Sequence, residues 1–216
     1  MKREVIDHYQ KTWKEYDDWY DAHQALYQSE LAALRKVVPS GTGLEIGVGT
    51  GRFAAPLAVR FGLDPVIEMI KLAKKRGVQV VQGFGENLPF KNESFHFVQI
   101  VLVLEFIDNP GHFLKEAART VRQNGALIVG FIDRESAWGT YYRQRSSSRE
   151  LFHPPSTRDI LELVEKTGLE FQEAYQTLFE PPPGLSREEE PKGGFGEGSF
   201  VVLKAGKRMV SPDHSR

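Results

Sequence analysis

Leu44-Glu45-Ile46-Gly47-Val48-Gly49-Thr50-Gly51 decides how this chain is read. Leu44 to Gly47 has the character of a short buried strand, and glycines at alternate positions follow. Such a run lets the backbone turn tightly and approach a ligand where any Cβ would collide. A dinucleotide-binding fingerprint needs its third glycine at position 52, but Arg52 stands there and the glycine comes one place earlier. The acid before the loop, Glu45, repels a pyrophosphate and suits the ammonium group of an amino-acid ligand. Spacing and charge therefore point away from a nicotinamide-type oxidoreductase, although a glycine run alone is also compatible with a plain structural turn.

Outward from this loop, strand-like and helix-like patterns alternate. Residues 4–38 carry helical periodicity and stop at Pro39-Ser40-Gly41. Arg52 to Leu57 reads as a short helix that Pro56 weakens. Val59, Phe61 and Leu63 suggest a second strand ending at Asp64, with Pro65 opening a helix to about Lys75. Val78–Val81 and Phe95–Val103 are the third and fourth strands. A helix opened by Asn109-Pro110 buries Phe113, Leu114, Ala117 and Val121. Ala126–Ile132 is a fifth strand, and residues 134–155 read as an irregular or partly helical insert. A helix capped by Ser156 or Thr157 ends at Gly168. Glu170–Phe179 and Ser199–Lys204 then form an edge pair, separated by a loop, Pro181–Gly198, too rich in Pro, Glu and Gly to order itself.

The expected fold is α/β: a seven-stranded, mostly parallel sheet with an antiparallel edge pair and helices on both faces, in which ligands bind beyond the carboxyl ends of the strands. One domain is expected over residues 1–206, with an N-terminal helical segment (1–38), a binding core (40–132), a region of insert, helix and edge strands (133–206), and a frayed tail (207–216). The chain has 216 residues, 40% of them hydrophobic, enough for one sizeable core. Charged residues are 26% and sum to −1, without the cationic surplus of a protein that grips nucleic acid. The absence of Cys rules out disulfides, thiolate metal sites and cysteine nucleophiles. With no apolar leader at the N-terminus and no long apolar run, the expected setting is the cytoplasm, with no membrane partner.

Two more features bear on the ligand. Asp64 ends the second strand, where a carboxylate can accept hydrogen bonds from both hydroxyls of a ribose or cap the helix that follows; the roles can coexist. Gly83-Phe84-Gly85-Glu86-Asn87-Leu88-Pro89-Phe90 follows the third strand. Taken in order, Glu45-x-Gly-x-Gly-x-Gly, Gly62-Leu63-Asp64-Pro65, Glu86-Asn87-Leu88-Pro89-Phe90, Ser94-Phe95, Asp108-Asn109-Pro110, Glu116-Ala117-Ala118-Arg119 and Asn124-Gly125 resemble the class I, Rossmann-like small-molecule methyltransferases of the type 11 family, over residues 40–132. The resemblance implies S-adenosylmethionine as cofactor. Glu45, Gly47, Gly49 and Gly51 would face its methionine part, Asp64 its ribose, Gly85, Glu86, Asn87 and Leu88 its adenine, and Val101 its methyl end.

Three positions depart from the family pattern. Phe84 replaces the adenine-side Asp, leaving Glu86, Asn87 or backbone groups to serve the adenine. His96 replaces the acid after Phe95 and is expected to face outward. Glu105-Phe106 replaces a pair of histidines. The implied activity is methyl transfer to a small-molecule acceptor; the other reading is a non-catalytic cofactor-binding partner or sensor. A base is needed only if the acceptor must lose a proton. Tyr16, Tyr20 and Glu105 are the catalytic candidates, and His23, His112, Tyr141, Tyr142 and His153 are also conceivable. No metal is expected, since no His or acid spacing suits one.

Advancing about 100° per residue from Tyr9, the residues Trp13, Tyr16, Tyr20, His23 and Tyr27 fall within about 40° of one line. Leu31 and Leu34 continue it. Such a stripe can be core packing. Tyr, Trp and His, however, carry polar tips that need partners when buried, so the front of this segment is read as a lid over the acceptor.

Overall fold

The structure, a computed structural model, describes residues 3–144 and 152–207. Residues 208–216 of the expected tail and 145–151 of the expected insert lie outside the described residues. The chain builds one mixed sheet in the order β3-β2-β1-β4-β5-β8-β6-β7. Its strands are β1 (Gly43–Ile46), β2 (Phe61–Asp64), β3 (Gln79–Gln82), β4 (Phe95–Val101), β5 (Val121–Ile132), β6 (Leu169–Thr177), β7 (Lys192–Gly193) and β8 (Phe200–Lys207). β1 to β5 pair in parallel, and β8 runs antiparallel between β5 and β6.

The helices are α1 (Arg3–Ala22), α2 (Gln24–Val37), α3 (Ile67–Lys75), α4 (Pro110–Thr120), α5 (Ala137–Gln144) and α6 (Thr157–Glu165). Two cores result, one on each face of the sheet. Phe113, Leu114 and Ala117 of α4 and Ile160 and Val164 of α6 pack on one face. Leu31 and Leu34 of α2, Ile70 and Ala73 of α3 and Trp138 of α5 pack on the other. Each large apolar side chain so enclosed contributes about 1.5–3 kcal/mol. Local chemistry agrees with these placements. Asn109 accepts the His112 N–H ahead of α4, whose first residue is Pro110. Ser156 and Asp159 form a reciprocal capping box on α6.

Among the described residues the sheet has eight strands rather than seven. The extra one, β7, lies in the Pro181–Gly198 loop and pairs with Tyr175 and Gln176. That loop is tied down by one acid: the Glu189 carboxylate accepts the N–H groups of Phe179 (2.6 Å) and Glu180 (2.8 Å), and the Glu189 N–H donates to Ser29 Oγ at 2.8 Å. The expected antiparallel pair is β6 with β8, the reversed β8 lying one place inside β6. Residues 52–58 form successive turns instead of a helix, because Pro56 has no N–H to continue one. The long N-terminal helix breaks at His23, whose backbone leaves the helical region, and α1 itself kinks at Thr12. His96 does not simply face solvent: its Nδ1 accepts the Thr42 N–H at 2.9 Å, and its Nε2 lies 2.7 Å from Arg122.

Candidate active site

The glycine loop leaves β1 at the carboxyl edge of the sheet and folds back under α1. Gly47 and Gly49 both hold positive φ, +76° and +50°. Their surroundings differ. A Cβ on Gly47 would stand 2.3 Å from Val103 Cγ2, so the fold itself requires glycine there. A Cβ on Gly49 would reach Tyr16 Oη at 3.6 Å and Met69 Sδ at 3.7 Å. It would project into a cleft bounded by Gly47, Gly49, Asp64, Met69, Val101 and Tyr16.

Asp64 reaches this cleft from the end of β2. Its Oδ2 accepts the Gly49 N–H at 3.0 Å and its Oδ1 accepts the Val66 N–H at 2.9 Å. One carboxylate thus holds the turn before α3 and stands beside the glycine loop. Burial raises its pKa to about 6, with the two amide bonds opposing that rise. Glu45 is enclosed between β1 and β4, where its Oε2 accepts Gln99 Nε2–H at 2.7 Å. Burial pushes its carboxyl up to about 8; the Gln99 bond opposes this and the Asp64 charge adds to it. Gln99 Oε1 has no hydrogen-bond partner. A carboxyl short of a counter-charge beside an unpaired amide oxygen suits an ammonium, the group an amino-acid-bearing cofactor would bring. Gln99 escaped the sequence reading, where it merely interrupted an apolar strand.

The turn after β3 is placed by α4. Gly85 packs on Phe113, and the Glu86 carbonyl meets His112 Nε2 at 2.8 Å. The Leu88 side chain lies in the core and its N–H donates to Glu116. Asn87 and Phe84 are exposed, Phe84 by 49%. Glu86 and Asn87 are thus the polar side chains of this turn nearest its surface.

A second cavity of about 230 Å³ adjoins the cleft and shares Val5, Tyr9, Tyr16, Leu102 and Phe106 with it. Its walls are largely aromatic: Tyr9 meets Phe106 edge-on at 5.6 Å, Phe106 meets Phe152 at 5.7 Å, and Tyr142 meets Phe152 at 5.5 Å. Tyr16 Oη lies 3.0 Å from Tyr20 Oη. Burial holds the phenols of Tyr9, Tyr16 and Tyr20 above their usual range, so at neutral pH they act as protonated walls and not as bases. Glu105 lies in a 3₁₀ turn after β4. Its Oε1 accepts the Ile132 N–H at 3.3 Å, its Oε2 has no partner, and burial raises its pKa to about 7. Leu102, between the two chambers, holds φ +55°, an uncommon strain for a branched side chain.

The aromatic stripe survives in part. Trp19 bounds the cavity and Trp13 does not, and α1 kinks at Thr12. His23 stacks on Trp19 at 4.3 Å, and the Tyr27 hydroxyl donates to the Arg52 carbonyl. The acid Glu30 of α2, which the sequence reading passed over, lines the cavity. A signal was available, since Leu26, Tyr27, Ala33 and Leu34 place Glu30 on the buried face of its helix. Among the described residues no three His, Cys, Asp or Glu side chains gather as a metal site, and no helix is long and apolar enough to cross a membrane.

A glycine loop with positive φ, an acid at the end of β2 and a reversed strand between β5 and β6 define a class I, Rossmann-like methyltransferase. Comparison with known proteins agrees. Residues 44–129 match the family described as a methyltransferase domain. A solved structure from Thermotoga maritima, described as an S-adenosylmethionine-dependent methyltransferase and possible histamine N-methyltransferase, is 43% identical with a TM-score of 0.88, covering 93% of this chain and 98% of that one. An uncharacterized protein of Methanocaldococcus jannaschii is 40% identical over 92% of this chain and 98% of its own length. A demethylmenaquinone methyltransferase of Corynebacterium kroppenstedtii is 34% identical over 44% of this chain. The chain belongs to the S-adenosylmethionine-dependent methyltransferases, and it is an enzyme whose cofactor is S-adenosylmethionine. The non-catalytic alternative finds no support among these relatives.

Proposed function

We propose that this enzyme methylates a small molecule seated in the aromatic cavity beneath α1. The observation that carries this reading is the wall shared by the cavity and the glycine-loop cleft: Tyr9, Tyr16, Leu102 and Phe106 bound both. In this reading Glu45 and Gln99 take the amino-acid end of the cofactor, aided by Gly47, Gly49 and Gly51. Asp64 takes the ribose, the Gly85–Leu88 turn the adenine, and Val101 lies by the methyl end. Bound S-adenosylmethionine supplies an electrophilic methyl group on a sulfonium. The chain's own task is to align the acceptor and keep water away, and alignment alone can lower the barrier by roughly 7–11 kcal/mol. α1 closes the cavity, and Tyr16 and Tyr20 orient what lies in it.

A cavity of about 230 Å³ and a net charge of −1 support a small acceptor over a nucleic acid. A cytoplasmic setting suits the cysteine-free composition. The test is transfer of label from methyl-labelled S-adenosylmethionine to a library of small molecules, run beside libraries of RNA and protein. Label appearing in small molecules is expected. Label appearing only in macromolecules would overturn the reading.

A further inference from the structure

Among the described residues bounding the aromatic cavity, Glu30 is the one acid, and it is a costly one. It is 1% exposed, its Oε2 has no hydrogen-bond partner, and no described Lys or Arg forms an ion pair with it. An isolated carboxylate taken out of water costs several kcal/mol unless a partner meets it. Around the same space stand the rings of Tyr9, Tyr16, Trp19, Tyr20 and Phe106, whose faces attract positive charge. A second carboxyl with an unpartnered oxygen, Glu105, sits close enough that its charge further raises the Glu30 pKa, which burial has already pushed well above the usual range. The other titratable groups facing Glu30 are Tyr16 and Tyr20, and His8 also lines the cavity. A neutral apolar acceptor would leave Glu30 unmatched. A cation satisfies the carboxylate and the rings together.

We propose that the methyl acceptor is a small protonated amine whose ammonium group is held by Glu30 within the aromatic walls. This rests on the small-molecule reading above and narrows it. The volume suits one ring with a short chain, since a dry cavity of about 150 Å³ already accepts benzene. Glu30 also serves the chemistry, because an ammonium has no lone pair. The bound amine passes one proton to the Glu30 carboxylate. The freed nitrogen pair then bonds to the methyl carbon as the carbon–sulfur bond breaks, leaving its electron pair on sulfur. The products are a methylated ammonium and a neutral thioether, and the proton on Glu30 leaves to solvent.

The test is calorimetry on the full chain saturated with S-adenosylhomocysteine. It uses three pairs of probes: propylamine and propanol, benzylamine and benzyl alcohol, 2-phenylethylamine and 2-phenylethanol. At least one amine should bind tenfold or more tightly than its alcohol, and Glu30→Gln should erase that preference while leaving S-adenosylhomocysteine affinity unchanged. If no amine is preferred, or if Glu30→Gln keeps the preference, the amine proposal is wrong even though the cofactor binds. The wild-type comparison decides the matter even should the variant fold poorly. A different failure, label going only to macromolecules, would strike the small-molecule reading instead.

Discussion

The carboxylate of Asp17 meets the guanidinium of Arg52 through two parallel hydrogen bonds, Nε to Oδ1 and Nη2 to Oδ2, each 2.9 Å long. Arg76 grips the same carboxylate from α3's end through two further bonds of 2.8 Å. Burial alone would raise the Asp17 pKa, but the Arg76 and Arg52 bonds outweigh it and hold it well below the usual range. Arg52 occupies the position where a dinucleotide fold would carry glycine, so the residue that spoils one fingerprint here latches α1 to the glycine loop.

Asp17→Asn should release that latch. Bidentate guanidinium contacts become single neutral ones, at a cost of about 1–3 kcal/mol. Amide hydrogen exchange across residues 8–22 should quicken, and S-adenosylhomocysteine should associate faster. Exchange confined to its wild-type rate would show that the latch does not govern α1.

Gly49→Val should abolish cofactor binding while the sheet survives. The branched side chain would fill the space between Tyr16 and Met69 and strain a backbone at φ +50°. Circular dichroism reports the fold and calorimetry the binding; a folded variant with normal affinity would contradict the placement of the cleft.

Asp64→Ala should weaken cofactor binding by roughly 1.5–3 kcal/mol, the range for hydrogen bonds to a charged group. It should also lower the Tm, because the Gly49 and Val66 amides lose their acceptor. A 2′,3′-dideoxyribose analogue should lose little further affinity in the variant. An equal penalty in both proteins would remove Asp64 from the ribose.

Glu45 predicts a proton balance. Its folded pKa of about 8 lies above the ordinary 4.5, so its contribution to stability is full below about pH 4.5 and is lost as pH rises through about 8. Glu45→Gln should therefore flatten the fall of Tm across that window. In the wild type at pH 7, an arriving ammonium favours the carboxylate, so S-adenosylmethionine binding should release a proton. Calorimetry in buffers of different ionisation enthalpy measures it, and Glu45→Gln should release less.

Glu189→Ala should free the Pro181–Gly198 loop by removing the acceptor of the Phe179 and Glu180 amides. Limited proteolysis should then cut within it much sooner than in the wild type. Equal cleavage rates would mean that the Glu189 carboxylate does not hold the loop.

The glycine loop, the place of Asp64 and the alternation of strands with helices were legible because each follows from local rules: alternate glycines for a tight turn, an acid at a strand end, and period changes between strand and helix. The break at His23 was not, because the residues on both sides keep one helical phase and only the backbone at His23 departs. Nor was β7, two residues whose pairing depends on Tyr175 and Gln176 of the neighbouring β6. The cavity wall drew on Phe106, Tyr142 and Phe152, which only long-range packing unites with α1. Trp19 bounds the cavity and Trp13 does not, and α1 kinks at Thr12, where the Oγ1 donates to the His8 carbonyl at 3.0 Å, a local competition that a helical wheel cannot register.

The position of β8 bears on how the chain must assemble as it is made. β5 pairs with β8 from Ala126↔Gly206 to Ile132↔Phe200, yet some seventy residues separate the two in synthesis order. A nascent chain can join β1 to β5 long before β8 leaves the ribosome. Until then β5 presents an apolar, unpaired margin, the kind of edge on which chains aggregate. β6 cannot fill the gap, because its own place in the sheet lies beyond the strand still missing. Burdening β8 should therefore harm the yield of soluble protein more than equal disruption of α6, and the vulnerable interval in the life of this enzyme is the wait for its last strand.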